Sequence, residues 1–410
     1  MRANWVSERA NPLARHAVAL LGFSIPISVA LDNTLLALVA VLWLAGGDLR
    51  GKLATIASNP VALAALALFG MLIAGLSYGI RYPGDGIHYL SKYIDLLFIP
   101  IFVTLFQDAR TREIALRWFC VAMVLTFVFA EFVSIGMLDE NAVLPRAPTF
   151  PGAFRHSTTH GLLCVYAAFL FALWAFREKR WQYRALYTVL VLVAIKNILF
   201  VAVSRTGYAL LALLALYFFF ITLRERVRWA AILVLVSLLA GVYVGSPTVN
   251  MRVNMVADEI LEWRTSVPSE FSSVGLRLEW YQMSLAIIRE HPVLGAGTGS
   301  PPRIYAERAQ GIRTLQIHNP HSEYLLLAVQ TGLIGLALLI HLFWQQLRLA
   351  ARLATPVEGH LARAVVFSVA LGCLFNSFLL DHTEGLFFAW FTGVLYGGLR
   401  PQPPTGGGKA

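Results

Sequence analysis

Apolar runs dominate this sequence, and their length constrains the fold more than any other feature. Runs of about 17–25 residues, long enough to cross a hydrocarbon core of about 30 Å, recur from one end of the chain to the other. Only 14% of the 410 residues are charged and 58% are hydrophobic, against about 25% and 45–50% in soluble domains. A soluble fold would have to bury all of these runs in one core. The sequence therefore predicts an all-α, polytopic membrane protein.

We predict about twelve transmembrane helices. Residues 1–245 are expected to hold helices 1–9, and residues 323–400 to hold helices 10–12. Between them, residues 246–322 form a loop in which stretches 253–263 and 276–289 repeat apolar residues at helical spacing, so the loop is predicted to be helical. Residues 401–410 are rich in Pro and Gly and are expected to be disordered. The predicted spans lie near 14–30, 33–46, 61–78, 90–107, 115–136, 159–176, 185–203, 206–223, 229–245, 323–344, 361–380 and 385–399.

The basic residues predict the orientation of these helices. With an even number of spans both termini fall on one face, and the Lys/Arg clusters between spans mark that face as cytoplasmic. The net charge of +10 thus reflects membrane topology and predicts no nucleic-acid partner. The loop 246–322 is then extracytoplasmic. The cytoplasmic clusters are Arg2, Arg9 and Arg15; Arg50 and Lys52; Arg110, Arg112 and Arg117; Arg177, Lys179, Arg180 and Arg184; Arg224, Arg226 and Arg228; Arg348, Arg352 and Arg363; Arg400 and Lys409.

Two histidines stand where the long loop meets the tenth predicted span. His318 and His321 are three residues apart, close to a helix start that Asn319 and Pro320 favour. A neutral histidine accepts a proton, so it can activate a hydroxyl nucleophile. The alternative is a pair of hydrogen-bonding histidines that cap a helix at an interface. The other candidate zinc ligands are Glu323, Asp381 and His382, but their spacing matches no zinc motif, and no metal is predicted.

Two arginines on the same predicted outer face are candidate phosphate ligands. Arg205 lies in a tight turn between the seventh and eighth spans, and Arg277 lies in the long loop. A guanidinium binds phosphate through two parallel hydrogen bonds. The alternatives are that Arg205 only extends to the membrane interface, and that Arg277 pairs with Glu279 or Glu290 on a solvated face.

A further polar segment, residues 145–161, joins the fifth and sixth spans on that face. Its Arg146, Arg155, His156 and His160 are candidates for substrate binding, and the alternative is an ordinary interfacial loop. The sequence has no glycine motif for a nucleotide. Several arginines and a histidine on one face therefore suit a phosphorylated lipid that carries its own leaving group, and no cofactor is predicted.

The second histidine carries a resemblance to a known family. His321 and Ser322 are followed after nine residues by Gly332 and, two residues later, by Gly335. This spacing resembles the signature of the O-antigen ligase and polymerase superfamily. His318 does not satisfy it, so the pattern selects His321. We expect the two glycines to let the tenth helix pack closely against a neighbour.

The arginine contexts extend the resemblance. Ser-Arg-Thr-Gly around Arg205 and Leu-Arg-Leu around Arg277 are similar to the segments that hold the two functional arginines of the family. Resemblance to its ligases implies transfer of O-antigen glycan from undecaprenyl diphosphate to lipid A–core at the periplasmic face of the bacterial inner membrane. It also implies a fold like that of the C-class membrane glycosyltransferases, with membrane lipids as neighbours and without a metal. His321 would act as base or orient the acceptor, and Arg205 and Arg277 would stabilise the departing diphosphate.

Three other functions stay open. An O-antigen polymerase shares the histidine motif and the lipid donor. A protein O-oligosaccharyltransferase usually carries a long extracytoplasmic C-terminal region, whereas this sequence ends about ten residues after its last predicted span. A lipid flippase or transporter is expected to carry charges along a central path. Here Asp95, Glu131 and Lys196 lie within predicted spans, but the candidate polar clusters lie on one face, which disfavours this function.

Overall fold

The computed structural model describes residues 2–80, 82, 84–138, 154–201, 204–263, 272–309, 311–312 and 315–400. All regular structure in these ranges is helical. A π-helical turn follows α9, and a short 3-10 turn follows α15. The helices are α1 (Arg2–Ile27), α2 (Val29–Ala45), α3 (Leu49–Ala57), α4 (Pro60–Ala74), α5 (Asp85–Lys92), α6 (Asp95–Leu105), α7 (Ala109–Ser134), α8 (Ser157–Arg177), α9 (Trp181–Lys196), α10 (Arg205–Thr222), α11 (Glu225–Gly245), α12 (Pro247–Trp263), α13 (Ser273–Glu290), α14 (Pro301–Arg308), α15 (Glu323–Leu349), α16 (Pro356–Phe375) and α17 (His382–Tyr396).

Eight helical stretches of the described chain are long and apolar enough to cross a membrane, and a ninth arises if the bent pair α2 and α3 counts as one span. The protein is therefore an all-helical, multi-pass membrane protein. Each of the twelve predicted spans coincides with a helix, but the count of twelve is not confirmed. Helices α4 and α17 have only 15 residues each, about 22 Å of helix, which is shorter than a hydrocarbon core.

Helix α17 is short because it forms the centre of the bundle. Trp390, fully buried, donates from its indole N–H to the Val18 carbonyl of α1 (2.8 Å). A Cβ at Gly393 would lie 2.2 Å from the Phe102 Cβ, so this glycine lets α17 approach α6. The Phe391 ring packs 5.0 Å from that of Phe119 on α7. Such aromatic edge-to-face contacts give the core a defined arrangement.

Ion pairs hold the bundle at both of its ends. Arg155, before α8, lies 2.7 Å from Asp32 of α2, and both side chains are buried. Arg112 of α7 lies 3.0 Å from Glu358, which also closes a capping box at the start of α16. Unpaired charges inside a membrane protein are costly, so such pairs fix the helices that contribute them.

Helix α15 is broken at Gly332, whose φ of 65° and ψ of −163° are not helical. A Cβ at this position would lie 2.2 Å from the carbonyl oxygen of Val293, so only glycine fits. Beyond the break, Leu333 donates its N–H to the Pro292 carbonyl (2.8 Å). The expected role of Gly332 in helix–helix packing is therefore wrong, because its neighbour is the segment that follows α13.

That segment, residues 292–299, inserts between α15 and the end of α4. Ala296 donates its N–H to the Val329 carbonyl (2.7 Å), and Thr298 donates its side-chain hydroxyl to the Leu72 carbonyl (2.7 Å). We call it the inserted segment. Three helices, α12 to α14, lie between residues 246 and 322, so the predicted helices of the long loop are confirmed. Its extracytoplasmic position stays a prediction, and the predicted disorder of residues 401–410 lies outside the described residues.

Candidate active site

His321 precedes α15 and has a left-handed backbone, with φ of 56°. Such a conformation is uncommon for a residue other than glycine and is concentrated at functional sites. Its N–H donates to the Asn319 side-chain oxygen (2.9 Å), and that oxygen also accepts from the Ser377 hydroxyl (2.7 Å). The turn between α16 and α17 thus holds the histidine in place.

Glu323 ties the same turn to the start of α15. It is fully buried and accepts hydrogen bonds from the Leu379 N–H (3.0 Å), the Leu380 N–H (3.2 Å) and the Tyr93 hydroxyl (2.7 Å). A buried carboxylate with three donors is well satisfied. Its position next to the histidine motif therefore serves to orient α15 against α6 and the α16–α17 turn.

The imidazole of His321 belongs to a chain of side-chain hydrogen bonds. Its Nδ1 lies 3.1 Å from the Asn376 Oδ1, and the Asn376 Nδ2 donates to the Asp381 Oδ2 (3.2 Å). Because the amide nitrogen of Asn376 is used by Asp381, its oxygen faces the imidazole and Nδ1 must donate. The proton therefore resides on Nδ1, and Nε2 keeps the lone pair that accepts a proton. The Trp280 ring covers the imidazole with its centroid 5.7 Å away.

The surroundings of His321 favour its neutral form. Burial lowers the pKa of His321 below the ordinary value, the hydrogen bond to Asn376 raises it, and the charge of Arg277 lowers it again. The net direction is downward, so the imidazole is unprotonated at neutral pH. A neutral imidazole is the form that a general base requires.

Arg277 lies near this histidine, and Arg205 lies near Arg277 on a separate helix. Arg277 of α13 donates to the Phe375 carbonyl (3.3 Å) at the end of α16. Burial lowers the pKa of Arg277, as does the nearby charge of Arg205 at the start of α10, while Tyr281 and Glu259 raise it. Two neighbouring guanidiniums repel each other, and an anion between them removes the repulsion. The pair is suited to hold a phosphate-bearing ligand.

Glu259 of α12 is the carboxylate that orients Arg205. It is 8% exposed, lies 3.4 Å from the Arg205 guanidinium, and accepts the N–H of Val274 (3.0 Å). The 3.4 Å contact is long, and the Arg205 side chain stays 38% exposed. A ligand phosphate can therefore still reach Arg205.

The structure brings only some of the predicted site residues together. His321, Arg277 and Arg205 converge, and His156 lies close enough to Asp381 to interact with its charge. His318 is exposed and lines a cavity between α5 and α14. Arg146 lies outside the described residues.

Arg155 and His160 occupy buried structural positions. Besides its pair with Asp32, Arg155 donates to the Ile25 carbonyl (2.6 Å). His160 is 1% exposed, and its Nε2 lies 3.1 Å from the Asn197 side-chain oxygen in the π-helical turn. Both side chains are buried and hydrogen-bonded within the protein, which favours a structural role over substrate contact.

Sequence reasoning missed Asn376, Trp280 and Glu259, and considered Asp381 only as a metal ligand. A signal existed for Asn376 and Asp381, because both interrupt the apolar sequence where the predicted spans 361–380 and 385–399 meet on the predicted outer face. Among the described residues, no group of three or more His, Cys, Asp or Glu side chains is arranged to hold a metal ion. The expected absence of a metal stays a prediction.

This fold and site define a multi-pass membrane protein with paired arginines beside a neutral histidine. Residues 197–340 match the family model described as O-Antigen ligase. The match runs from the π-helical turn into α15 and includes Arg205, Arg277 and His321, so the resemblance to this family is confirmed. No curated protein matches the chain.

Proposed function

We propose that this protein is an O-antigen ligase that transfers O-antigen glycan from undecaprenyl diphosphate to lipid A–core. The observation that carries the proposal is the convergence of Arg205, Arg277 and a neutral His321 within the matched domain. Lipid-linked O-antigen and lipid A–core are the substrates that the family implies. The positive-inside pattern supports a site that faces the periplasm, an inner-membrane location and cytoplasmic termini.

The mechanism is an inverting displacement. The Nε2 of His321 accepts the proton of the acceptor hydroxyl as its oxygen forms a bond to the anomeric carbon. The bond from that carbon to the diphosphate oxygen breaks, and the electron pair leaves with undecaprenyl diphosphate. Arg205 and Arg277 stabilise the negative charge that develops on this leaving group. The diphosphate supplies the driving force, so no nucleotide or other cofactor takes part.

The function is tested by the lipopolysaccharide of a deletion strain. We expect unsubstituted core together with accumulated lipid-linked polymer on gels, and restoration of the ladder by the wild-type gene. Core that carries a single repeat unit would identify a polymerase. Loss of glycan from proteins would identify an oligosaccharyltransferase, and lipid-linked glycan trapped at the cytoplasmic face would identify a flippase. Purified protein that transfers glycan from the lipid donor to lipid A–core would establish the activity directly.

Asn376 is a positioning residue that acts through His321. Asn376→Ala removes the acceptor that holds the imidazole, and we expect transfer to fall by about 10–100-fold, as for outer partners of other functional histidines. The variant also loses the hydrogen bond that raises the pKa of His321. The pH at which activity declines in acid should therefore move lower.

The opposite shift is expected for Asn376→Asp, because a carboxylate stabilises the protonated imidazole and moves the acid limb to higher pH. The measurement is the pH profile of transfer at saturating substrates. Asn254→Ala, on the exposed side of α12, is the matched control. Loss of activity with an unchanged profile in both Asn376 variants would show that the residue supports only the fold.

A further inference from the structure

A cavity of about 670 Å³ opens beside the histidine motif, between α5 and α14. We call it the α5–α14 cavity. A volume of this size is typical of small-ligand sites. Its wall comes from the turn before α5, from α5 and α14, and from residues 316–318. Its chemically active lining is Tyr82, Asp85, His88, Tyr89, Lys92 and His318.

The lining combines ring faces with groups that bind hydroxyls. The Tyr82 ring is exposed, and the Arg303 guanidinium lies 5.8 Å from its centroid, on α14. Asp85, His88 and Lys92 also line the cavity. Their carboxylate, imidazole and ammonium groups can accept hydrogen bonds from ligand hydroxyls or donate to them. Sugar rings present hydroxyls at their edges and C–H groups on their faces, which match this lining.

The cavity is joined to the site by direct contacts. The hydroxyl of Tyr89 donates to the backbone carbonyl of His318, three residues before His321. On the same helix, the charge of Lys92 interacts with Asp381, and the charge of Asp381 interacts with His321. The cavity therefore adjoins the imidazole along the edge formed by α5.

The arginines reach the imidazole from other helices. Arg277 stands on α13, whose Trp280 covers the His321 ring, and whose Tyr281 donates to the His321 carbonyl (3.3 Å). In an inverting displacement the acceptor oxygen approaches the anomeric carbon from the side opposite the leaving group. With the diphosphate on the arginines, the acceptor extends away from α13.

We propose that the α5–α14 cavity binds the sugar rings of the glycan acceptor. The inference rests on the proposed function and adds the location of its second substrate. It gives His318 a role in the wall of the acceptor site. It also accounts for a histidine that lies close to His321 but does not satisfy the spacing of the family signature.

The test is a steady-state comparison of purified full-length variants. In Asp85→Asn we expect the KM for lipid A–core to rise by about 10-fold, the effect of one lost hydrogen bond to a charged group. In Tyr82→Ala we expect a similar rise, because the sugar loses its contact with the aromatic ring. The kcat and the KM for the lipid-linked donor should stay near the wild-type values. Tyr183→Ala, on exposed α9, and Asp258→Asn, on exposed α12, are matched controls.

A binding measurement separates this inference from the proposed function. The probe is the sugar part of lipid A–core released from its lipid, observed by saturation-transfer NMR without donor. Wild-type protein should bind it, and Asp85→Asn, which preserves shape, should bind it more weakly. A wild type that transfers glycan while both variants keep the normal acceptor KM would overturn the inference alone. A rise in the donor KM instead would place the donor glycan in the cavity and overturn it as well. A wild type that neither binds nor transfers to lipid A–core would remove the proposed function itself.

Discussion

His321→Ala is expected to lower glycan transfer by about 10²–10⁴-fold, the usual contribution of a general base. The reason is geometric. The Asn376–Asp381 chain fixes the proton on Nδ1, so Nε2 faces outward as an acceptor. Alanine removes this acceptor and leaves the arginines in place. The measurement is transfer to lipid A–core by purified protein at matched concentration.

The wild-type pH profile gives a second readout. Burial lowers the pKa of His321. A base at this position therefore stays active as the pH falls to the ordinary pKa of histidine and loses activity only below that pH. His318→Ala is the comparison variant. Its effect should be smaller and should fall on the acceptor KM. An inactive His318→Ala variant together with a nearly normal His321→Ala variant would show that the base had been assigned to the wrong histidine.

Arg277→Ala is expected to raise the barrier to transfer by about 2.7–4 kcal/mol, or about 10²–10³ in rate, the usual effect of losing a donor to developing charge. Arg277 is half-buried and its charge lies near that of Arg205, so water replaces it poorly. Arg205→Ala should act in the same direction, because Arg205 belongs to the same pair. Transfer rates at saturating donor give the comparison.

Lysine at position 277 tests whether geometry matters beyond charge. Arg277→Lys keeps the cation but loses the planar pair of donors, so only partial recovery is expected. Arg289→Ala, in the exposed last turn of the same helix, is the matched control. Full activity of Arg277→Ala in correctly inserted protein would support the alternative interpretation, in which this arginine only forms ion pairs on a solvated face.

Local sequence patterns located the helices but not all of their roles. The length of the apolar runs correctly predicts a helix at every predicted span, because a backbone in a bilayer must satisfy its hydrogen bonds internally, whichever helices surround it. The same criterion does not establish that all twelve cross the membrane, because α4 and α17 are shorter than a hydrocarbon core. Nearly all of α17 is buried inside the protein, around Trp390, and hydropathy does not distinguish lipid from protein core.

Partners distant in sequence were the main source of error at the site. Arg155 was a candidate ligand because it stands in a polar outer loop, but its partner Asp32 lies 123 residues earlier. No local spacing reveals such a pair. His321 and Arg277 could be selected from motifs, whereas the support from Asn376 depends on a turn 55 residues further on. Chemistry-bearing residues are thus more predictable than the residues that position them.

The break in α15 has a consequence for the lipid environment of the protein. Transmembrane helices change their tilt as bilayer thickness varies, and an unbroken helix would carry that movement to its first turn, which follows His321. At Gly332 the backbone leaves the helical path. The inserted segment holds the chain on both sides of this break: Ala296 donates its N–H to the Val329 carbonyl, and the Pro292 carbonyl accepts the N–H of Leu333. The part of α15 before Gly332 is thereby fastened to the loop that carries Arg277. We expect the break to absorb tilting of the part after Gly332, so that the distances between reacting groups change little with bilayer thickness.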